Sequence, residues 1–154
     1  MMANSKKTKI ALDASERELV RVALIEHVGW ETDRVDGALT RLDRDRDLRA
    51  ARRGMRRIGR IGKLLDRVGW KPKERAVSLR LESERDIELV VCALRDSQCA
   101  AYDGARDANA HDDARYLQKT SESLASVTAL LLRVEGIASK LGHDLHGWPP
   151  PLKR

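Results

Sequence analysis

The stretch that decides the fold is RAARRGMRRIGRIGKLLDRV, residues 49–68. It carries one acidic side chain, Asp66, against eight basic ones. On a helix turning by about 100° per residue, the basic side chains fall within an arc of roughly 140°, and Ile61 and Leu65 lie on the opposite side. The eight are Arg49, Arg52, Arg53, Arg56, Arg57, Arg60, Lys63 and Arg67. The pattern therefore predicts a helix with one cationic and one apolar face.

Three glycines interrupt this stretch, at positions 54, 59 and 62. Each should weaken a helix by about 1 kcal/mol relative to alanine. Such a cost is offset when the bare backbone packs against a neighbouring element. We therefore expect Gly54, Gly59 and Gly62 to lie in close contact with another helix.

The composition predicts an aliphatic interior. Of the 154 residues, 42% are apolar and 35% are charged, and the aromatic residues are three Trp and two Tyr, with no Phe. A core made of Leu, Val, Ile and Ala is typical of helix bundles. No apolar run reaches the length of a membrane span and no signal peptide is recognisable, so we expect a cytoplasmic protein without a membrane partner.

The charge is distributed unevenly along the chain. Residues 1–75 contain 20 Lys and Arg against 12 Asp and Glu, a net of +8, whereas residues 76–154 contain 10 against 12, a net of −2. The two together give the overall +6. This asymmetry favours an acidic partner for the first half, and nucleic acid is the commonest partner of that kind.

Two strands and several helices can be placed along the chain. Alternating apolar positions predict strands at 8–12 and 77–81. The first helix is expected to be buried nearly all round and to end at Gly29-Trp30. Trp30 and Trp70 should pack at helix ends. Thr32 or Asp33 should cap a second helix. We also expect a bend at 43–47, a linker at Lys71-Pro72, a loop and helix cap from Tyr102 to Asp113, and a last helix closed by Gly142.

An internal similarity suggests how these elements are arranged. Residues 18–24, ELVRVAL, resemble residues 88–94, ELVVCAL. Each follows a strand and precedes a long helix, so we predict a duplicated strand-helix-helix unit whose strands pair in a short two-stranded β-ribbon. The expected fold is α+β, predominantly α, a helix bundle in a single compact domain over 1–142. It comprises a basic half, 6–70, and a mildly acidic half, 76–142, with an extended Pro-rich tail at 143–154.

The basic face has three interpretations. Lys and Arg side chains along one side of a helix can follow a phosphate backbone and release its condensed counterions, and the few aromatic residues favour duplex DNA over a single strand. The same face could bind an acidic surface of another protein, in a non-enzymatic interaction module or inhibitor. It could also be solvated, or paired internally with Glu82, Glu84 and Asp86. A homodimer is compatible with all three.

Residues 6–42, KKTKIALDASERELVRVALIEHVGWETDRVDGALTRL, resemble a ribbon-helix-helix DNA-binding unit. The resemblance covers a short alternating strand, a helix, a turn with glycine and a second helix. It implies that two strands pair and enter the major groove, with Lys7, Lys9 and Ala11 facing the bases while Ile10 and Leu12 face the core. The long basic helix has no place in that minimal fold. Lys7 and Lys9 nevertheless join the eight helical cations as candidate nucleic-acid-binding residues.

No catalytic, metal or cofactor site is predicted. The sequence has no Gly-rich phosphate loop, nucleophile elbow or zinc-binding Cys pair, so we expect a protein that is not an enzyme. His143, Asp144 and His146 lack a third ligand at a metal-site spacing. His27 is attributed to the dipole of a helix C-terminus. Cys92 and Cys99 are seven positions apart on one predicted helix, about 10 Å, and are expected to be free, buried thiols.

Overall fold

The computed structural model describes residues 8–41, 45–70 and 75–142. Within these ranges the chain forms two strands and four long helices. They follow one another as β1 (Thr8–Leu12), α1 (Ala14–Arg41), α2 (Asp45–Val68), β2 (Val77–Leu81), α3 (Glu84–Ala110) and α4 (Ala114–Lys140). Lys7, the Lys71-Pro72 linker and the 143–154 tail, with His143, Asp144 and His146, lie outside the described residues.

The two strands pair as predicted. They are antiparallel, with Thr8 opposite Leu81 and Leu12 opposite Val77. Period-two alternation places Ile10, Leu12, Leu79 and Leu81 on the buried face of the ribbon. Lys9 and Arg80 are cross-strand partners on the exposed face. The ribbon therefore closes one side of the core and presents two cations to solvent.

One aliphatic core joins all six elements. Its fully buried side chains include Leu24 of α1, Ile61 and Leu65 of α2, Leu94 of α3 and Leu130 of α4. A smaller cluster of Val35, Ala38 and Ala51 lies between α1 and α2. Helix α1 packs on both α2 and α3, and α3 packs on α4. The protein is thus an α+β fold, predominantly α, a helix bundle with a two-stranded ribbon, as predicted.

The predicted end of the first helix at Gly29-Trp30 is wrong. Helix α1 continues to Arg41, and Thr32 does not cap a new helix, because its hydroxyl donates to the carbonyl of Val28 at 2.8 Å inside α1. Val35 and Ala38 bury against α2, which stabilises the extension. A glycine inside a helix costs only about 1 kcal/mol, so this packing outweighs Gly29. Helix α1 ends at Arg41 and α2 begins at Asp45, so residues 45–47 of the predicted bend are helical, and residues 43 and 44 lie outside the described residues.

Of the loop and helix cap predicted from Tyr102 to Asp113, the loop is wrong and the cap is confirmed. Helix α3 extends through most of the predicted loop to Ala110, and Asp113 caps α4 by accepting a hydrogen bond from the Tyr116 amide at 3.0 Å. At Gly104 an added Cβ would lie 3.2 Å from Thr120 Cγ2. The glycine that suggested a loop instead lets α3 and α4 approach each other closely.

Two tryptophans and part of α1 are more exposed than expected. Trp30 is 63% exposed and Trp70 is 53% exposed, so neither packs as predicted. Gly69, which follows α2, takes the left-handed conformation, with φ of 98°. Val22 and Ile25 are exposed on α1, which is therefore not buried all round.

The two halves share the order strand, helix, helix, and both strands have the same alternation of buried and exposed residues. This order agrees with a duplicated unit. Duplication itself stays a prediction, because short aliphatic elements can adopt the same order independently.

Candidate nucleic-acid interface

Helix α2 has the two faces that the sequence predicts. Ala51, Ile61, Leu64, Leu65 and Val68 are buried on one side of it. Asp45 and Asp47 lie in its first turn, where carboxylates interact favourably with the positive end of the helix dipole. Because the core holds the apolar side, the orientation of the cationic side is fixed.

Arg57 belongs to the predicted set but is held inside the protein. Its Nε donates to Glu31 Oε1 at 3.0 Å, and its side chain is 33% exposed. Glu31 itself is 3% exposed, so this ion pair is largely shielded from water. The guanidinium therefore compensates a buried carboxylate and links α2 to α1.

Arg67 is likewise paired. It contacts Asp86 Oδ2 at 3.0 Å and Glu82 Oε2 at 3.1 Å, and it donates to the carbonyl of Arg80 at 3.1 Å. Two of the three carboxylates considered as internal partners are thus used here. The C-terminal end of α2 is tied to β2 and the start of α3, and its charge is neutralised.

The other six cations form what we call the basic stripe: Arg49, Arg52, Arg53, Arg56, Arg60 and Lys63. Arg60 is half-buried and the others are exposed. Among the described residues, none of the six has a carboxylate within the 4.0 Å of an ion pair. They span fourteen helical steps, about 21 Å, within an arc of roughly 100°. The stripe is therefore narrower than predicted, and its charge is not compensated within the described part of the chain.

The ribbon offers a weaker cationic surface. Lys9 is exposed as the resemblance implied, but its neighbour Arg80 pairs with Glu82 at 2.9 Å. The carbonyl of Ala11 accepts a hydrogen bond from Arg133 at 2.5 Å. Within the described ranges the ribbon thus offers one cation without a carboxylate partner, Lys9, whereas the stripe offers six.

The three glycines of α2 have different surroundings. A Cβ on Gly54 would come within 2.5 Å of Val35 Cγ2, so this glycine packs closely as predicted. Nothing lies within 4 Å of a Cβ built on Gly59 or Gly62, so the prediction is wrong for these two. They leave an open helix surface beside Met55 and Leu48, both exposed.

A polar cluster around the buried His27, which includes the exposed Asp96, was missed by the sequence analysis. His27 lies in the interior of α1, is 4% exposed, and its Nδ1 is 2.8 Å from Asp96 Oδ2 of α3. Its Nε2 is 3.4 Å from Arg57 Nη2 and 3.8 Å from Glu31 Oε1. The helix-dipole interpretation is therefore wrong. The spacing of His27 and Glu31, four residues apart on one helix face, was the available signal.

The cysteines are both free, as predicted, but their environments differ. Cys92 is 7% exposed beside the polar cluster, and burial raises the pKa of its thiol. Cys99 is exposed, contrary to prediction. It borders a groove of about 500 Å³ between α3 and α4, lined also by Gln98, Tyr102, Asp103, Leu124 and Thr128.

Other kinds of site were sought within residues 8–41, 45–70 and 75–142. No group of three or more His, Cys, Asp and Glu side chains there could hold a metal ion. No helix in the same ranges combines the length and apolarity needed to cross a membrane.

The chain was compared with protein-family models, curated proteins and solved structures. None of the three comparisons found a match. The ribbon-helix-helix resemblance therefore stays a prediction, and the functional argument depends on the geometry of α2.

Proposed function

We propose that this protein binds nucleic acid, most favourably duplex DNA, through the basic stripe of α2, and that it acts as a small regulatory protein rather than as an enzyme. Contacts are made to phosphates, so binding depends little on base sequence. Lys9 of the ribbon is a secondary contact. Arg57 and Arg67 belong to the protein's own ion pairs and do not contribute directly.

One observation carries this proposal: six cations on one arc have no carboxylate partner in the described structure. A solvated helix face usually mixes charges of both signs, whereas this one is uniformly positive over about 21 Å. Phosphates lie at each step of a duplex, with one negative charge per roughly 1.7 Å of helix axis. A straight row of guanidinium groups can therefore release several counterions at once.

The proposal is tested by fluorescence anisotropy with a random-sequence DNA duplex. The variant combines Arg52→Ala, Arg56→Ala and Arg60→Ala. Its matched control combines Arg106→Ala, Arg115→Ala and Lys119→Ala, which removes the same charge from exposed positions on α3 and α4. At low salt we expect the α2 variant to lose about a hundredfold in affinity and the control to lose much less. Equal losses, or no binding by the wild type, would reject the proposal.

A specific observation favours a second candidate, binding to an acidic protein surface. Met55 is 51% exposed and Leu48 is 39% exposed, and both flank the stripe on the side opened by Gly59 and Gly62. A protein contact would bury these side chains, whereas phosphates would not. Changing both to Ser should weaken a protein complex strongly and leave duplex binding nearly unchanged.

A further inference from the structure

The hydrogen bonds of His27 define its protonation state. The Asp96 carboxylate can only accept, so Nδ1 of His27 donates to it across 2.8 Å. The Arg57 guanidinium can only donate, so Nε2 accepts from it across 3.4 Å. With these two hydrogen bonds made, Nδ1 is the donor of the ring and Nε2 is its acceptor.

The charged and titratable groups around the ring come from three helices. Glu31 lies on α1, Arg57 on α2, and Asp96 and Cys92 on α3, with Arg95 close to Cys92. Burial raises the pKa of Cys92, so this thiol stays neutral while a histidine titrates. Glu31 Oε1 is also 3.5 Å from Arg34 Nη1, but that arginine is largely exposed.

A proton added from solvent at Nε2 would change this arrangement. Nε2 would become a donor, so Arg57 could no longer donate to it, and two cations would face each other across 3.4 Å. The carboxylate oxygen facing the new N–H is Glu31 Oε1, 3.8 Å away. This same oxygen accepts from Arg57 Nε at 3.0 Å. The protonated ring and Arg57 would therefore compete for one acceptor.

We propose that His27 is a pH-dependent latch for Arg57: when the ring is neutral, Arg57 is held at Glu31, and when the ring is protonated, Arg57 is released toward the basic stripe. Arg57 borders the stripe at about 40° from Arg53 around the helix axis, so its release adds a seventh cation. The latch itself operates in the protein without a bound ligand. Its effect on ligand binding rests on the proposed function.

The latch is tested by NMR on the full chain without any ligand. Between pH 8 and pH 5, the ring nitrogens of His27 and the hydrogen exchange of Arg57 Nε–H are followed together. We expect a neutral ring protonated on Nδ1 at high pH, and a loss of Arg57 Nε–H protection with the same midpoint as ring protonation. In His27→Gln, which cannot titrate, Arg57 protection should not change with pH.

Asp96→Asn provides a second measurement. It keeps an acceptor for Nδ1, so the midpoint of ring protonation and the midpoint of Arg57 release should still coincide in this variant. Different midpoints, a neutral ring protonated on Nε2, unchanged Arg57 protection through the transition, or simultaneous loss of core amide signals would each overturn the latch.

A binding measurement separates the latch from the proposed function. In the wild type, lowering the pH should steepen the salt dependence of duplex binding by about one unit of slope, and in His27→Gln it should not. If no duplex binds at either pH while the NMR transitions coincide, the proposed function fails and the latch stands. If binding occurs without coincident transitions, the latch fails alone.

Discussion

Arg53 and Arg57 show how neighbouring arginines on one helix can have different roles. Arg53 is exposed and belongs to the basic stripe, whereas Arg57 donates to the buried Glu31. Burying a carboxylate is expensive unless a cation and hydrogen bonds compensate it. The sequence places both residues in one cationic arc, but it does not show which of them faces a buried acid on another helix.

This difference predicts unequal effects on stability. Arg57→Ala leaves Glu31 buried with Arg34 as a remaining, longer contact, so we expect a loss of about 3 kcal/mol in the free energy of unfolding. Arg53→Ala removes an exposed side chain and should change it by less than about 0.5 kcal/mol. Urea denaturation at pH 7.5 measures both, and similar losses would contradict the assignment.

The two cysteines should differ in reactivity. Burial raises the pKa of Cys92, which lowers its thiolate fraction and also blocks access, whereas Cys99 is exposed. We expect iodoacetamide at pH 8 to modify native protein at Cys99, and to modify Cys92 after unfolding in urea. Peptide mass spectrometry identifies the site, with Cys99→Ser as the control. Rapid modification of Cys92 in the native state would be inconsistent with its burial.

At the scale of elements, glycine was the least reliable signal in the sequence. Gly69 ends α2 in a left-handed conformation, but Gly29 and Gly104 lie within helices. A glycine permits a helix end without requiring one, and the outcome depends on what the next residues can bury. Val35 and Ala38 meet Ala51 of α2, a contact between separate segments that local patterns do not reveal.

The continuity of α1 can be tested at Gly29. A Cβ at this position meets nothing within 4 Å, so Gly29→Ala should stabilise the protein by about 0.5–1 kcal/mol through higher helix propensity. If α1 ended there with a left-handed glycine, the same change would destabilise it. Thermal unfolding followed by circular dichroism shows whether Gly29→Ala stabilises or destabilises the protein.

Gly69→Ala is the same kind of substitution as Gly29→Ala, but we expect it to lower the free energy of unfolding. Gly69 has φ of 98°, and an added Cβ would collide with the guanidinium of Arg17, which donates to the Val68 carbonyl at 2.6 Å. We expect a loss of at least about 1–2 kcal/mol. A neutral or stabilising effect would mean that α2 does not end in this conformation.

The close packing between α1 and α2 at Gly54 can be tested by substitution. Gly54→Ala places a methyl group within 2.5 Å of Val35 Cγ2, so overpacking should cost about 1–3 kcal/mol despite the gain in helix propensity. Gly62→Ala, in open space on the same helix, should be neutral or stabilising. Chemical denaturation of the two variants compares them directly, and equal effects would be evidence against the α1 and α2 contact.

For the molecule as a whole, the sequence could predict three features: the strands, the fold class and the orientation of α2. Each of them depends on a regular repeat of apolar residues. The stripe's composition could be predicted in part. Arg57 and Arg67 do not belong to it because they pair with carboxylates on α1, directly after β2 and on α3. Pairing between distant segments has no periodic signature, so it required coordinates.

The charge layout gives helix α2 one strongly basic face. The first half carries the excess of Lys and Arg, and six of these cations lie in the stripe, where none pairs with a carboxylate of residues 8–41, 45–70 or 75–142. On α1, by contrast, Arg21 is paired with a carboxylate: its hydrogen bond to Glu18 lowers the pKa of Glu18. Such local pairs add little field at a distance, whereas an unpaired row attracts a polyanion.

The salt dependence of duplex binding measures how many phosphates the basic stripe contacts. The logarithm of the binding constant should fall linearly with the logarithm of salt concentration, with a slope of up to about −5 for six phosphate contacts. Removing Arg52, Arg56 and Arg60 should make the slope shallower by about 3, and removing Arg106, Arg115 and Lys119 should leave it nearly unchanged. A wild-type slope near zero, or the same slope in all three proteins, would contradict the account.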